Sequence, residues 1–155
     1  MPIKFNWKRG KNLGIALFLS GISGLIQALI FVPIGQYILK VGSLYVVIFI
    51  PIGATLAIMY AMLIIYETNM QNVARKYGAI TRAPSRSILG FDRELIFSMI
   101  ISLMFFGLIF IITYEITKDS LSPINVFMLS ECVGGISVLI IASIIEELQV
   151  GIKKD

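Results

Sequence analysis

Residues 67–94 read ETNMQNVARKYGAITRAPSRSILGFDRE and form the one long polar interval in an otherwise apolar chain. They carry Arg75, Lys76, Arg82, Arg86 and Arg93 against Glu67, Asp92 and Glu94, and they divide the chain into two apolar halves. Each half is long enough to cross a bilayer twice, because one crossing takes about 20 residues of helix. Loops rich in Lys and Arg are retained on the cytoplasmic side. The interval therefore predicts a cytoplasmic connection between two membrane hairpins.

Composition points the same way. Hydrophobic residues make up 57% of the 155 and charged residues 14%, against about 25% charged in soluble domains. The mean hydropathy is +0.91. The expected fold is all-α and polytopic, a single domain over residues 1–155. Four transmembrane helices form an up-down bundle of two hairpins, with spans at about 13–39, 44–66, 95–117 and 123–148 and a cytoplasmic loop at 67–94. Of the 13 Lys and Arg, all but Lys40 and Lys118 fall in the N-terminus, the central interval or the C-terminus. Both termini are accordingly expected in the cytoplasm, and the membrane is expected to be the plasma membrane.

The net charge of +4 follows from topology and from anionic lipid headgroups, so nucleic acid is not an expected partner. The single cysteine, Cys132, excludes an intramolecular disulfide and any Cys-x-x-Cys motif. It reads as a small buried hydrophobe. The absence of His removes histidine-ligated haem, the usual copper and iron sites and histidine proton relays. No cofactor and no metal are expected.

Basic residues Lys4, Lys8, Arg9 and Lys11 surround Phe5 and Trp7 at the N-terminus. The apolar run that follows far exceeds the roughly 7 to 15 residues of a signal h-region, so it is read as an uncleaved first span. Ala16, Ser20, Gly24 and Ala28 lie four apart, on one helix face. Small residues there let another helix approach closely, within this chain or across a homodimer. Gln27 lies near mid-span, and an amide in hydrocarbon is expected to face another helix.

Phe31-Val32-Pro33-Ile34-Gly35 in the first span is matched by Phe49-Ile50-Pro51-Ile52-Gly53 in the second. In a hairpin the two prolines fall at similar depth, and each removes a helical hydrogen bond. Two kinks at one level either frame a cavity in the outer leaflet or serve packing alone. Gly53, Ala57 and Ala61 make a second small stripe, so the first two spans are expected to pack as a close hairpin. Past Tyr66 the helix is expected to continue, with Met70, Val73, Ala74 and Tyr77 on one face and Gly78 as its stop. Arg75, Lys76, Arg82, Arg86 and Arg93 form the candidate surface for anionic lipid or a partner.

Asp92 reads as the N-cap of the third span, with Phe91 and Ile96 as a hydrophobic staple. Ser98 and Ser102 share a face, and the rest of this span suits lipid or a partner subunit. Ser122-Pro123 opens the fourth span. That span holds the only well-embedded charge, Glu131, in Ser130-Glu131-Cys132-Val133-Gly134-Gly135. It lies about 12 Å past Pro123 along the helix, near the level of Pro33, Pro51 and Gln36. An intramembrane carboxylate is costly and by default suggests an ion or proton site. The structural alternative is a neutral or hydrogen-bonded carboxyl that fixes helix packing through Gln27, Gln36, Thr113 or a neighbouring subunit.

No nucleophile–base pair, paired-carboxylate site or phosphate-binding loop is present, so no enzymatic activity is expected. The leading expectation is a non-catalytic subunit that packs or assembles a larger membrane complex, such as a respiratory or transport assembly. The alternative is a small homo-oligomeric transporter or channel, coupled to ions or protons through Glu131. Expected partners are the bilayer, its anionic headgroups, and other membrane subunits or a second copy.

Overall fold

The computed structural model describes residues 11–77 and 93–151, with side chains over 14–71 and 93–148. The N-terminal basic cluster, Gly78, Arg82, Arg86, Phe91, Asp92 and the side chains of Arg75 and Lys76 lie outside the described residues.

Four helices account for the described chain, and no strand occurs among the described residues. Helix α1 (Lys11–Ile26) continues through two π-helical turns, Gln27–Phe31 and Ile34–Ile38, on either side of Pro33. Helices α2 (Leu44–Tyr77), α3 (Arg93–Thr117) and α4 (Pro123–Gly151) follow. All four are long and apolar enough to cross a membrane, over Gly14–Ile38, Leu44–Gln71, Arg93–Thr117 and Pro123–Leu148. Helix α2 runs past Tyr66 to Tyr77, as the amphipathic pattern there requires. Short turns join α1 to α2 and α3 to α4, and they define one end of the bundle, the turn end. In the first of them Lys40 takes a left-handed backbone, with φ of 51°, the conformation with which many helices end.

Lipid tails are as apolar as leucine, so helices in a bilayer cohere through close packing and hydrogen bonds rather than through removal of apolar surface from water. Helices α1, α3 and α4 each bury a narrow stripe and leave most of the remaining girth apolar and exposed, whereas α2 is buried on every side over residues 61–66. On α3 the stripe is Leu95, Ser98, Ser102, Phe106 and Phe110. On α4 it includes Phe127, Glu131, Gly134, Gly135, Val138 and Ala142. The aromatic centre is Phe31, whose ring meets Phe106 edge-on at 5.0 Å and Phe110 at 4.9 Å between centroids.

Packing bears on three expectations, of which the second and third need correction. First, α1 does pack on α2, as expected of the first hairpin, while the most extensive helix contact joins α2 and α4. Gly135 makes this approach possible, since a Cβ there would lie 3.4 Å from the Ala57 Cβ. Second, the buried face of α1 is Leu19, Ser23, Gln27, Phe31, Gly35 and Leu39. In the small stripe only Ala16 is buried, Ser20 and Gly24 are half-buried and Ala28 is exposed. A strict four-residue step overshoots an α-helical turn by about 40°. The wider π-turns hold more residues per turn and keep the stripe aligned. The second small stripe is likewise split, with Gly53 exposed, Ala57 half-buried and Ala61 buried. Third, Cys132 is exposed, because α4 turns its Ser130, Glu131, Gly134 and Gly135 side inward and Cys132 falls on the other.

At the turn end Lys118 donates a hydrogen bond to the Glu115 carboxylate, which holds the Lys118 ammonium above the ordinary lysine range. A raised pKa contributes stability that is present below the unfolded-state value and is lost as pH rises through the folded one. The pair is exposed, so its effect is local. Alkaline titration past lysine, or Glu115→Gln, is expected to fray the last turn of α3 in amide exchange without moving the melting midpoint.

Candidate functional site

Polar groups buried in a membrane bundle need partners, because hydrocarbon offers none. Most hydroxyls here satisfy this rule locally. Thr55, Thr68, Thr117 and Ser143 each donate to the carbonyl four residues back, and Ser98 to the carbonyl of Leu95. Ser23 donates to Ser20 and reaches the Thr55 carbonyl, a link between α1 and α2. Four residues depart from the rule. The Gln27 amide, the Ser102 and Ser130 hydroxyls and both Glu131 carboxyl oxygens are buried without a hydrogen-bond partner among the described residues.

Glu131 is fully buried. Its position follows from its neighbours along α4. One turn toward the turn end, Phe127 lies on Gly35 of α1, where an added Cβ would come within 2.9 Å of the ring. One turn the other way, Gly135 lies against Ala54 and Ala57 of α2, and Gly134 against Phe106 of α3. Contacts to all three other helices therefore bracket the carboxyl. Gln27, 2% exposed, stands one turn from Phe31 on the buried face of α1, and Phe106 touches both Phe31 and the Gly134 turn.

The two prolines act differently. Pro33 sits where α1 turns π-helical, so that the Val32 amide bonds the Gln27 carbonyl and the Leu39 amide the Ile34 carbonyl, each five residues back. Pro51 stays within a regular helix, and its missing N–H leaves the Val47 carbonyl without its helical donor. A cleft of about 450 Å³ does open between the first two helices. It is lined by Ser20, Gly24, Gln27 and Ala28 of the first helix and by Pro51 and Thr55 of the second, among others. Pro33 is not in its wall, so the kinks do not frame it together.

Of the residues expected to act together, Glu131 and Gln27 are buried in the bundle core and Pro51 and Gln27 share the cleft. Gln36 is only half-buried and makes no hydrogen bond to Glu131. Arg93 is exposed at the start of α3. No group of three or more His, Cys, Asp or Glu able to hold a metal ion occurs among the described residues. The Phe127–Gly35 contact has only one signal in the sequence, a glycine in a proline-kinked span.

Fold and site together give a helical bundle with a carboxyl at its core, whose four long apolar helices fit a multi-pass membrane protein. No protein-family model, curated protein or solved structure matches the chain.

Proposed function

We propose that this chain is a non-catalytic integral subunit of a larger membrane assembly, placed in the plasma membrane with both termini cytoplasmic. The cleft between α1 and α2 supports the reading. Its wall combines the small residues Ser20, Gly24 and Ala28 with Gln27, whose amide is left unpartnered. Small residues admit a helix backbone, and a side-chain amide in hydrocarbon gains by bonding across helices. The occupant is a transmembrane helix of a larger subunit.

The test is affinity purification from native membrane in mild detergent, with bound chains identified by mass spectrometry. Larger subunits in fixed stoichiometry are expected. Ala28 is exposed, so Ala28→Phe fills the cleft without disturbing the core. It is expected to weaken the association about tenfold, or about 1.4 kcal/mol. Purification as a lone species with function intact would remove the proposal.

One observation favours the second reading, a small homo-oligomeric transporter coupled to ions or protons. Glu131 is fully buried and without a hydrogen-bond partner among the described residues, and an ionisable group inside a membrane span is by default a candidate ion or proton site.

A further inference from the structure

We propose that Glu131 is an occluded proton-binding site, and that Phe127 closing on Gly35 is its plug toward the turn end. The proposal rests on the second reading above and names its ligand and its gate.

Glu131 shares one face of α4 with Phe127 and Gly135, about 6 Å away along the axis on either side. Each of these neighbours belongs to a tight layer. Phe127 is fully buried, and the space beside its ring admits no more than the hydrogen of Gly35. Beyond Glu131 the backbone of α4 closes on α2 at Gly135 and on α3 at Gly134, where a Cβ would come within 3.0 Å of Phe106. The carboxyl is thus sealed along the bundle in both directions, with both oxygens free of any hydrogen-bond partner among the described residues.

The apolar stretches of the four helices bring it no countercharge. Residues 14–38, 44–66, 95–114 and 123–145 contain no other Asp, Glu, Lys or Arg. The tyrosines of these stretches lie outside the compartment. Tyr60 and Tyr66 fall beyond Ala57, past the Gly135 layer, and Tyr37, Tyr45 and Tyr114 fall at or beyond the Phe127 layer. A metal ion requires several oxygen ligands at fixed distances; these stretches hold no second carboxyl, and no group of three or more His, Cys, Asp or Glu able to hold a metal ion occurs among the described residues. The species that balances this carboxylate is a proton.

The plug is built on the least regular part of the fold. Gly35 lies within the π-helical turns Ile34–Ile38 that follow Pro33, and such departures from the α-helix occur often at functional sites. A small shift of this segment withdraws Gly35 from the Phe127 ring and opens the path from the turn end. Fixed contacts elsewhere hold the other side shut.

The test uses the full chain in phosphatidylcholine liposomes with dicyclohexylcarbodiimide, a lipid-soluble reagent for protonated carboxyls. The acid proton moves to a carbodiimide nitrogen and the carboxyl oxygen bonds to the central carbon, so the whole reagent is retained and no oxidant or reductant is required. Intact mass is expected to rise by one reagent molecule on Glu131 at acidic pH. The adduct is expected to fade as pH rises and to be absent in Glu131→Gln. Phe127→Ala, with Phe127→Leu as the packed control, is expected to speed labelling several-fold. No adduct at acidic pH in a folded Phe127→Ala chain overturns the site. Protection by sodium at constant pH overturns the proton as its ligand, and equal rates in Phe127→Ala and Phe127→Leu overturn the plug. Labelling as expected without proton flux across the liposomes supports the site and counts against the transport reading alone.

Discussion

Phe106→Ala is expected to lower the free energy of unfolding by about 3 kcal/mol, the lower end of the roughly 3–5 kcal/mol seen for Phe→Ala in packed cores. The reason lies in what the ring touches. Phe106 is fully buried, meets Phe31 edge-on at an interplanar angle of 80° and fills the space that Gly134 leaves open on α4. Truncation removes all these contacts together and leaves a cavity between α1, α3 and α4. An edge-to-face pair alone contributes about 0.5–1.5 kcal/mol. In water the lost transfer energy would add to this, but here the unfolded reference also lies in apolar surroundings. The cost is then mainly lost dispersion and the unfilled volume, which places it at the low end. Equilibrium unfolding of the detergent-solubilised chain by added denaturing detergent, followed by circular dichroism, reads the difference directly. A loss below about 1 kcal/mol would show that the ring contributes little to the packing of α3 on α1 and α4.

The four helices are legible in the sequence because span length is a local property. An apolar run of about 20 or more residues between charges has one stable arrangement in a bilayer, and the observed helices start and stop close to where the charges and prolines fall. The extension of α2 to Tyr77 is equally legible, since an amphipathic period needs no tertiary information. Glu131 stands out for a similar reason, as the one charge far from the ends of its span.

The rest depends on register between helices. Nothing local to Gly135 says that Ala54 and Ala57 will face it, so the α2–α4 contact is invisible in the chain, and sequence order favours the hairpin partners in its place. The same holds for Cys132, whose exposure follows only from which side of α4 turns inward. The small stripe of α1 misleads for another reason. Its spacing presumes a regular helix, whereas the turns beside Pro33 are wider, and they carry Gln27, Phe31 and Gly35 inward while leaving Ala28 on the surface. A proline announces a disturbance in a membrane helix; it does not say how the helix absorbs it.

Glu131→Met should raise stability and abolish the proton chemistry in the same protein. A buried polar group without a partner costs about 1–3 kcal/mol, and replacing buried charges or carboxyls by apolar side chains of similar volume is often neutral or stabilising. Methionine is close to glutamate in length and flexible enough to fill the same compartment between Phe127 and Gly135. The expected gain in unfolding free energy is therefore about 1–3 kcal/mol, measured as for Phe106→Ala, with carbodiimide labelling lost. Glu131→Gln separates the causes: it keeps the shape and the unsatisfied polar groups, so it should lose labelling with little gain in stability. Glu131→Lys adds an ammonium with no acidic neighbour in the spans, and central Lys costs at least about 2.5 kcal/mol on insertion scales, so poor membrane accumulation is expected. If instead Glu131→Met destabilises by more than about 1 kcal/mol, the carboxyl is bonded to something in the native membrane. A packing role, through a partner helix or ordered water, would then replace the proton site. A stabilising substitution that removes the chemistry is the pattern of a residue kept for function at a cost in stability, and it distinguishes the two roles of this carboxyl whatever the protein transports or joins.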